Sequence, residues 1–157
     1  MMETFLPNKI ELTPGSHENE VVLTVEPMLH GYGVTVGNAL RRVLLSSLEG
    51  AAVTAVKIKN VPHEFSAIPH VREDVLQLTL NLKLLRLRIT GDEPVRITLK
   101  AKGEREVTAA DIDAPSNVEI VNTDLHLAEL TDKDAELEME IFANKGKGYV
   151  PTESRDK

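Results

Sequence analysis

Strict alternation of apolar and polar residues constrains the fold of this chain more than any other feature. In two segments, 95–101 and 136–142, every second residue is apolar up to Leu99 and Ile141, the set being Val95, Ile97, Leu99, Leu137, Met139 and Ile141. The residues between them are Arg96, Thr98, Lys100, Glu136, Glu138 and Glu140. Because successive side chains of a strand point to opposite faces, both segments are predicted strands with one face in a core. Residues 53–59 alternate similarly, so a strand-rich region is predicted beyond Gly50.

A helix is predicted before this region, at residues 36–48, with Thr35 as its N-cap and Gly50 at its end. A strand at residues 20–25 precedes it. At about 100° per residue, one face of the helix is apolar and consists of Val36, Leu40, Val43 and Leu44. The opposite face carries Asn38, Arg41, Arg42 and Leu45. A leucine flanked by two arginines on an outer face suggests a contact with another protein.

Three further segments carry weaker signals. Leucines at every second position from 76 to 84 have a strand period, yet leucine is a good helix former and Glu73-Asp74 would suit a helix N-terminus. Residues 85–90 and 95–101 are predicted to form a hairpin around the turn at 90–94. The sequence NKGKGYVP at 144–151 is predicted to be a basic, glycine-rich loop, either a flexible connection or a docking site for a partner.

Composition excludes several classes of protein. The 157 residues include 18 Lys+Arg against 25 Asp+Glu, a net charge of −7, and no cysteine, so disulfides and thiolate metal sites are excluded. Only five aromatic residues occur, too few for a surface that stacks single-stranded bases. No apolar run approaches the ~18–20 residues of a membrane span, and the N-terminus has no signal-peptide core. Residues 111–142 hold ten acidic residues against Lys133, which indicates either solvated strand faces or a module with separate acidic and basic surfaces.

Candidate chemical sites are few. Gly31, Gly33 and Gly37 have the spacing G-x-G-x-x-x-G, which is not a nucleotide-binding fingerprint, so close backbone packing is the favoured interpretation. His63-Glu64 fails the zinc-protease motif because position 67 is alanine, and His63 and His70 are predicted loop residues. No serine has the surroundings of a nucleophile elbow, and the paired acids fall on exposed strand faces. No catalytic residue, cofactor or metal is therefore predicted.

Several long motifs nonetheless resemble one family. The string VEPMLHGYGVTVGNALRRVLLSSLEGAAVTAVKI, followed by HEFSAIPHVREDVLQLTLNLK, VTAADI, VEIVN and GKGYVP, is similar to the N-terminal domain of the bacterial-type RNA polymerase alpha subunit. The resemblance implies an α+β fold, with residues 1–50 as the first part of a discontinuous dimerisation subdomain and residues 51–157 as an inserted, mostly β subdomain. It also implies a helix at 73–84. Because the sequence ends soon after GKGYVP, the end of the dimerisation subdomain and the C-terminal DNA-binding domain are expected to be missing.

The resemblance further implies a function. Members of this family are assembly platforms of DNA-directed RNA polymerase: two copies dimerise, one binds the beta subunit and the other beta-prime. The matching beta-contact position is Arg42, beside Asn38, Arg41 and Leu45, whereas Val36, Leu40, Val43 and Leu44 would form the dimer or core face. Catalysis would belong to the large subunits, DNA contact to the missing C-terminal domain, and the compartment would be the bacterial cytoplasm or a plastid.

Two alternatives remain open at this point. One is an archaeal- or eukaryotic-like alpha relative, which the absence of cysteine makes less favourable. The other is a small α+β binding module that holds an anionic ligand at the turn formed by Gly31, Gly33 and Gly37.

Overall fold

The protein is described by a computed structural model that covers residues 6–17 and 19–151. The chain divides into two units between Leu48 and Glu49. The elements of the first unit are β1 (Lys9–Pro14), β2 (Val21–Glu26) and α1 (Tyr32–Ser47). Those of the second are β3 (Glu49–Ile58), α2 (Val75–Leu82), β4 (Leu87–Ile89), β5 (Val95–Lys102), β6 (Arg105–Thr108), a 3-10 helix (Ala109–Asp111), β7 (Ile112–Asp113), β8 (Val118–Ile120), β9 (His126–Leu130) and β10 (Glu136–Lys147). This mixture confirms the predicted α+β class.

The first unit begins with a hairpin. Strand β1 pairs antiparallel with β2, from Lys9 opposite Glu26 to Pro14 opposite Val21. The predicted strand at 20–25 corresponds to β2, but β1 was missed. Its sequence KIELTP does alternate, with Ile10 and Leu12 between polar neighbours, so a period-2 signal was present.

Helix α1 begins four residues earlier than predicted. Gly31 is its N-cap and has a φ of 87°, a left-handed conformation that glycine adopts without steric cost, and no side chain caps the helix. Thr35 lies inside the first turn, so its predicted capping role is wrong. The helix ends at Ser47 and Leu48 is already extended, so Gly50 does not end it but lies in β3.

The second unit is built on a six-stranded antiparallel sheet in the order β7-β5-β10-β3-β4-β8, together with the separate pair β6-β9. Strand β10 lies between β5 and β3, pairing Glu136 with Lys102 on one side and Met139 with Ile58 on the other. The predicted hairpin of 85–90 with 95–101 is therefore wrong, because β10 and β3 separate β5 from β4. The predicted loop at 144–151 is also partly wrong, since β10 continues to Lys147.

The leucine-rich segment is helical, as the family resemblance implied. Asp74 is the N-cap of α2, and its Oδ1 accepts a hydrogen bond of 2.7 Å from the backbone N–H of Gln77. The helix buries Val75, Leu78 and Leu82, which have helical spacing, whereas Leu80 is exposed. The strand period of the leucines is therefore not the period of burial.

The core of the second unit follows the predicted strand faces. Five residues of these faces are each at most 1% exposed, namely Ile97, Leu99, Leu137, Met139 and Ile141, and Leu78 and Leu82 of α2 are buried to the same degree. Arg96 and Lys100, which alternate with Ile97 and Leu99 along β5, are exposed. The predicted register of β5 and β10 is thus confirmed.

Candidate interaction surfaces

One face of α1 carries a polar surface, which we call the arginine surface: Asn38, Arg41, Arg42 and Leu45. Their spacing of three and four residues brings them together along the helix, and all four are exposed. Leu45 is 65% exposed although it is apolar. By helical spacing, Leu45 falls between Arg41 and Arg42 on this face of α1.

The two arginines of this surface have no ion-pair partner among residues 6–17 and 19–151. By contrast, Arg72, Arg88 and Arg105 of the second unit each lie within 3 Å of a carboxylate oxygen. An unpaired, exposed guanidinium keeps its planar set of donors available for a carboxylate of another molecule.

A second face of α1 carries an apolar surface, which we call the leucine surface: Val36, Leu40, Val43 and Leu44. No residue of α1 is buried, and Leu40, Val43 and Leu44 are 41–56% exposed. The hairpin of the same unit also exposes apolar side chains, including Ile10, Leu12 and Val21. Contiguous exposed apolar side chains are typical of a surface that another protein covers.

The glycines do not form a turn for an anion. Gly31 precedes α1, but Gly33 and Gly37 lie inside the helix, with their amides in its regular conformation. A loop in which all three glycines surround a ligand is therefore absent from the described structure. The prediction of an anion-binding module at these residues is wrong for this physical reason.

The remaining histidine and acidic residues of the described part of the chain do not assemble a metal site. No group of three or more His, Asp or Glu side chains within the described ranges could hold a metal ion. His63 is exposed in the segment between β3 and α2, and its Nδ1 lies 3.2 Å from Ser66 Oγ. His70 is exposed as well, with its Nδ1 3.9 Å from Asp132 Oδ2.

The outer face of the sheet carries paired charges. Glu138 on β10 lies between Lys59 Nζ at 2.8 Å and Lys100 Nζ at 3.0 Å. Hydrogen bonds from Lys59 and Lys100 lower the pKa of Glu138 to about 2. Glu136 pairs with Lys102 in the same way. The acids of β10 therefore do not form a separate acidic surface, because basic residues of neighbouring strands neutralise them.

Sequence reasoning missed one charged cluster, which we call the His126 cluster: Arg72, Glu73, Glu106, His126 and Glu129. It borders a groove of about 510 Å³ that Asp74, Gln77 and Asn81 also line. His126 Nε2 lies 2.9 Å from Glu73 Oε1, and its Nδ1 lies 2.8 Å from Glu106 Oε1. The partners are 53 and 20 residues away in sequence, so no local motif could have indicated the cluster.

The electrostatics of this cluster follow from its hydrogen bonds. Those with Glu73 and then Glu106 raise the pKa of His126 above its ordinary value, against a smaller opposing effect of burial. Burial raises the pKa of Glu73, but bonds from His126 and from the backbone N–H of Glu129 together hold that pKa below its ordinary value. Both groups are therefore stabilised in their charged forms.

Comparison with known proteins decides the family. A model of the family described as the RNA polymerase Rpb3/RpoA insert domain matches residues 56–157. The DNA-directed RNA polymerase subunit alpha of Roseiflexus sp. (strain RS-1) is 49% identical over 156 residues, which are 99% of this chain and 48% of that protein. The chain belongs to the RNA polymerase alpha subunit family.

Other alpha subunits match this member of the family equally well. The subunit of Alkaliphilus oremlandii is 52% identical over 93% of the chain, and that of Desulforudis audaxviator is 54% identical over 92%. These matches cover 46% and 45% of the respective relatives, so the chain spans about half the length of the curated relatives it matches.

The family match and the interaction surfaces fall on different parts of this alpha-family chain. The insert-domain match begins at residue 56, inside β3, and covers the sheet and α2. The arginine and leucine surfaces precede it and lie within the longer matches to the alpha subunits. In the described parts of the chain, no helix is both long enough and apolar enough to cross a membrane.

Proposed function

We propose that this chain is a non-catalytic assembly part of DNA-directed RNA polymerase in transcription. It dimerises with a second alpha subunit through the leucine surface and contacts the beta subunit through the arginine surface, while the second copy contacts beta-prime. Nucleotidyl transfer belongs to the large subunits, and the work takes place in the cytoplasm of a bacterium. The observation that carries this proposal is that helix α1 leaves both a polar and an apolar face exposed. This helix belongs to a chain that is 49% identical in sequence to an alpha subunit.

The role of Arg42 rests on its exposure and on its having no ion-pair partner among the residues that the structure describes. A planar guanidinium can pair with a carboxylate through two hydrogen bonds while its stem packs on apolar surface. Alanine substitution of an arginine at the centre of an interface can weaken the binding free energy by about 2 kcal/mol or more. Arg41 and Asn38 extend the same surface toward the start of the helix.

The role of the leucine surface rests on the amount of apolar area left uncovered. Full burial of a large aliphatic side chain contributes about 1.5–3 kcal/mol, and Leu40, Val43 and Leu44 are already about half covered. Each would therefore contribute roughly 1 kcal/mol when a second copy covers it. Three such residues supply part of a dimer interface.

We also propose that the functional division of the chain lies near Gly50, with residues 1–50 for dimerisation and residues 51–157 as the inserted subdomain. The separation of two structural units between Leu48 and Glu49 supports this division. So does the position of both exposed surfaces of α1 within the first unit. We assign no contact with DNA to residues 1–157.

Co-purification tests the assignment of Arg42. The tagged chain is expressed with the beta subunit, and the beta recovered per tagged chain is compared for wild type, Arg42→Ala and Arg88→Ala. Arg88 is the matched control because it is an exposed arginine of the second unit that pairs with Glu119. A loss of about 2 kcal/mol corresponds to a roughly 30-fold weaker complex for Arg42→Ala. Equal recovery from Arg42→Ala and wild type would refute the assignment.

A further inference from the structure

The His126 imidazole joins two segments of the second unit. Its Nε2 contacts Glu73, which directly precedes the N-cap of α2, and its Nδ1 contacts Glu106 on β6. His126 itself begins β9, which pairs with β6. One ring therefore connects the entrance of α2 to both strands of the β6-β9 pair.

The chemistry of these contacts requires two ring protons. An ionised carboxylate only accepts hydrogen bonds, and a neutral imidazole donates from one nitrogen while the other carries a lone pair. With carboxylate oxygens 2.9 and 2.8 Å from the two nitrogens, a neutral ring would place a lone pair against one of them. Both short contacts are favourable only when both nitrogens donate, as in the imidazolium.

We propose that His126 is a doubly protonated clamp between the entrance of α2 and strand β6, and that loss of one ring proton releases Glu106 from this clamp. Nothing in the assembly function proposed above requires this contact. The clamp is a pH-sensitive element of the inserted unit itself.

The charges around the ring determine which contact opens. Glu73 and Asp74 precede α2, Glu106 comes from β6, and α2 has no charged residue of its own. Arg72 pairs with Glu129 of β9, and Arg105 of β6 pairs with Asp111, so neither cation replaces the histidine. The Glu106 side chain is 63% exposed and can turn into solvent, whereas that of Glu73 is 12% exposed.

The remaining bonds keep the rest of the segment in place when the clamp opens. Glu73 Oε2 accepts a 2.7 Å bond from the backbone N–H of Glu129, and the N–H of Arg72 donates to the Glu129 carbonyl at 3.0 Å. Neither bond depends on the protonation of His126. Deprotonation therefore loosens β6 from the entrance of α2 without detaching that entrance from β9.

The direction of the pH effect follows from the raised pKa of His126. Its stabilising contribution is complete below the ordinary histidine pKa of about 6.5 and is lost as the pH rises through the folded-state pKa. Within that window the ratio of folded to unfolded protein falls by at most about tenfold per pH unit, the limit for a single proton.

Nitrogen-detected NMR of the histidine rings in the full chain tests the proposal. Below the ordinary histidine pKa of about 6.5, both ring nitrogens of His126 are expected to be protonated, and its pKa is expected to exceed that of the same residue in the urea-unfolded chain. Glu106→Gln should lower this folded-state pKa and weaken the loss of stability at alkaline pH. Glu119→Gln is the matched control, since Glu119 is 62% exposed and pairs with an arginine elsewhere. It should leave the titration of His126 unchanged.

Each outcome of the titration either supports or overturns the clamp. A folded-state pKa of His126 that is no higher than its pKa in the urea-unfolded chain would overturn the proposal, as would a titration that Glu106→Gln does not alter. Should Glu106→Gln fold poorly, Glu106→Ala and the ring-nitrogen shifts of the wild type give the same decision. An equal change in Glu119→Gln would show a general charge effect and would also overturn the clamp.

Discussion

Replacing Ile141 with alanine tests the architecture of the second unit at its centre. Ile141 lies in the middle of β10, opposite Val56 on β3 and Ile97 on β5, and is fully buried. Truncation removes three carbons from a site enclosed by strands on both sides, so little collapse can fill the cavity. Substitutions of this kind cost about 2–5 kcal/mol, and we expect the upper half of that range.

The matched control is the adjacent residue on the other face. Glu140 pairs with Arg96 at 3.5 Å on the outer face of the sheet, and exposed ion pairs contribute about 0–1 kcal/mol. Urea unfolding of the full chain gives both values, followed by circular dichroism because the chain has no tryptophan. If Glu140→Ala were as destabilising as Ile141→Ala, the register of β10 would be wrong by one residue, since a single slip exchanges the two faces.

Two further predictions concern charge and self-association. Because the pKa of Glu138 is lowered to about 2, the ionised side chain stabilises the fold above pH 4.5, and this contribution is lost as the pH falls toward 2. Glu138→Gln should therefore reduce the loss of stability between pH 4.5 and pH 2, measured by urea unfolding at a series of pH values. An unchanged loss would contradict the role of its lysine pairs. The exposed leucine surface predicts concentration-dependent association in sedimentation experiments; Leu44→Asp should reduce it, whereas Leu84→Asp, at a similarly exposed leucine of the second unit, should not. Equal effects of the two substitutions would contradict a specific surface on α1.

The faces of the central strands could be predicted because burial follows the backbone period. From Val95 to Lys100 in β5 and from Glu136 to Ile141 in β10, each inward residue is apolar and each outward residue is polar, so the alternation alone predicts Ile97 and Met139 as core residues. Strand partners could not be predicted in the same way. Strand β5 follows β4 closely in sequence, so a hairpin of these two strands would have the lowest loop-closure cost. In the structure β5 instead pairs with β10, which is distant in sequence but longer than β4 and apolar on its inward face.

The helices illustrate two other limits. In α2 the alternating leucines have the period of a strand, and only the Asp74 cap and the spacing of Val75, Leu78 and Leu82 agree with the observed burial. In α1 the faces were predicted from the helical period, but the start was not. Glycine weakens a helix interior, so Gly33 concealed its first turn.

The candidate interaction surfaces also differ in how far the sequence predicts them. The arginine and leucine surfaces lie on one helix, so a single periodicity assigned all eight residues to their faces. The His126 cluster draws its members from three separate elements, and each member alone resembles an ordinary surface residue. Glu106 and His126 come together through the pairing of β6 with β9. Glu73 joins them because the segment that contains it runs beside β9, where Val71 pairs with Leu130.

The central position of β10 has a consequence for synthesis on the ribosome. Strand β3 ends at Ile58 and β10 begins at Glu136, 78 positions later, yet the two are neighbours in the sheet. Before β10 is synthesised, β3 and β5 each have an unpaired edge. At a translation rate of roughly 5–20 residues per second, this interval lasts about 4–16 seconds for β3. During that interval the nascent chain exposes the edges of two apolar strands to other chains. Newly made protein is therefore most prone to aggregation before residue 147 leaves the exit tunnel, and slower translation through residues 59–135 would lengthen that period.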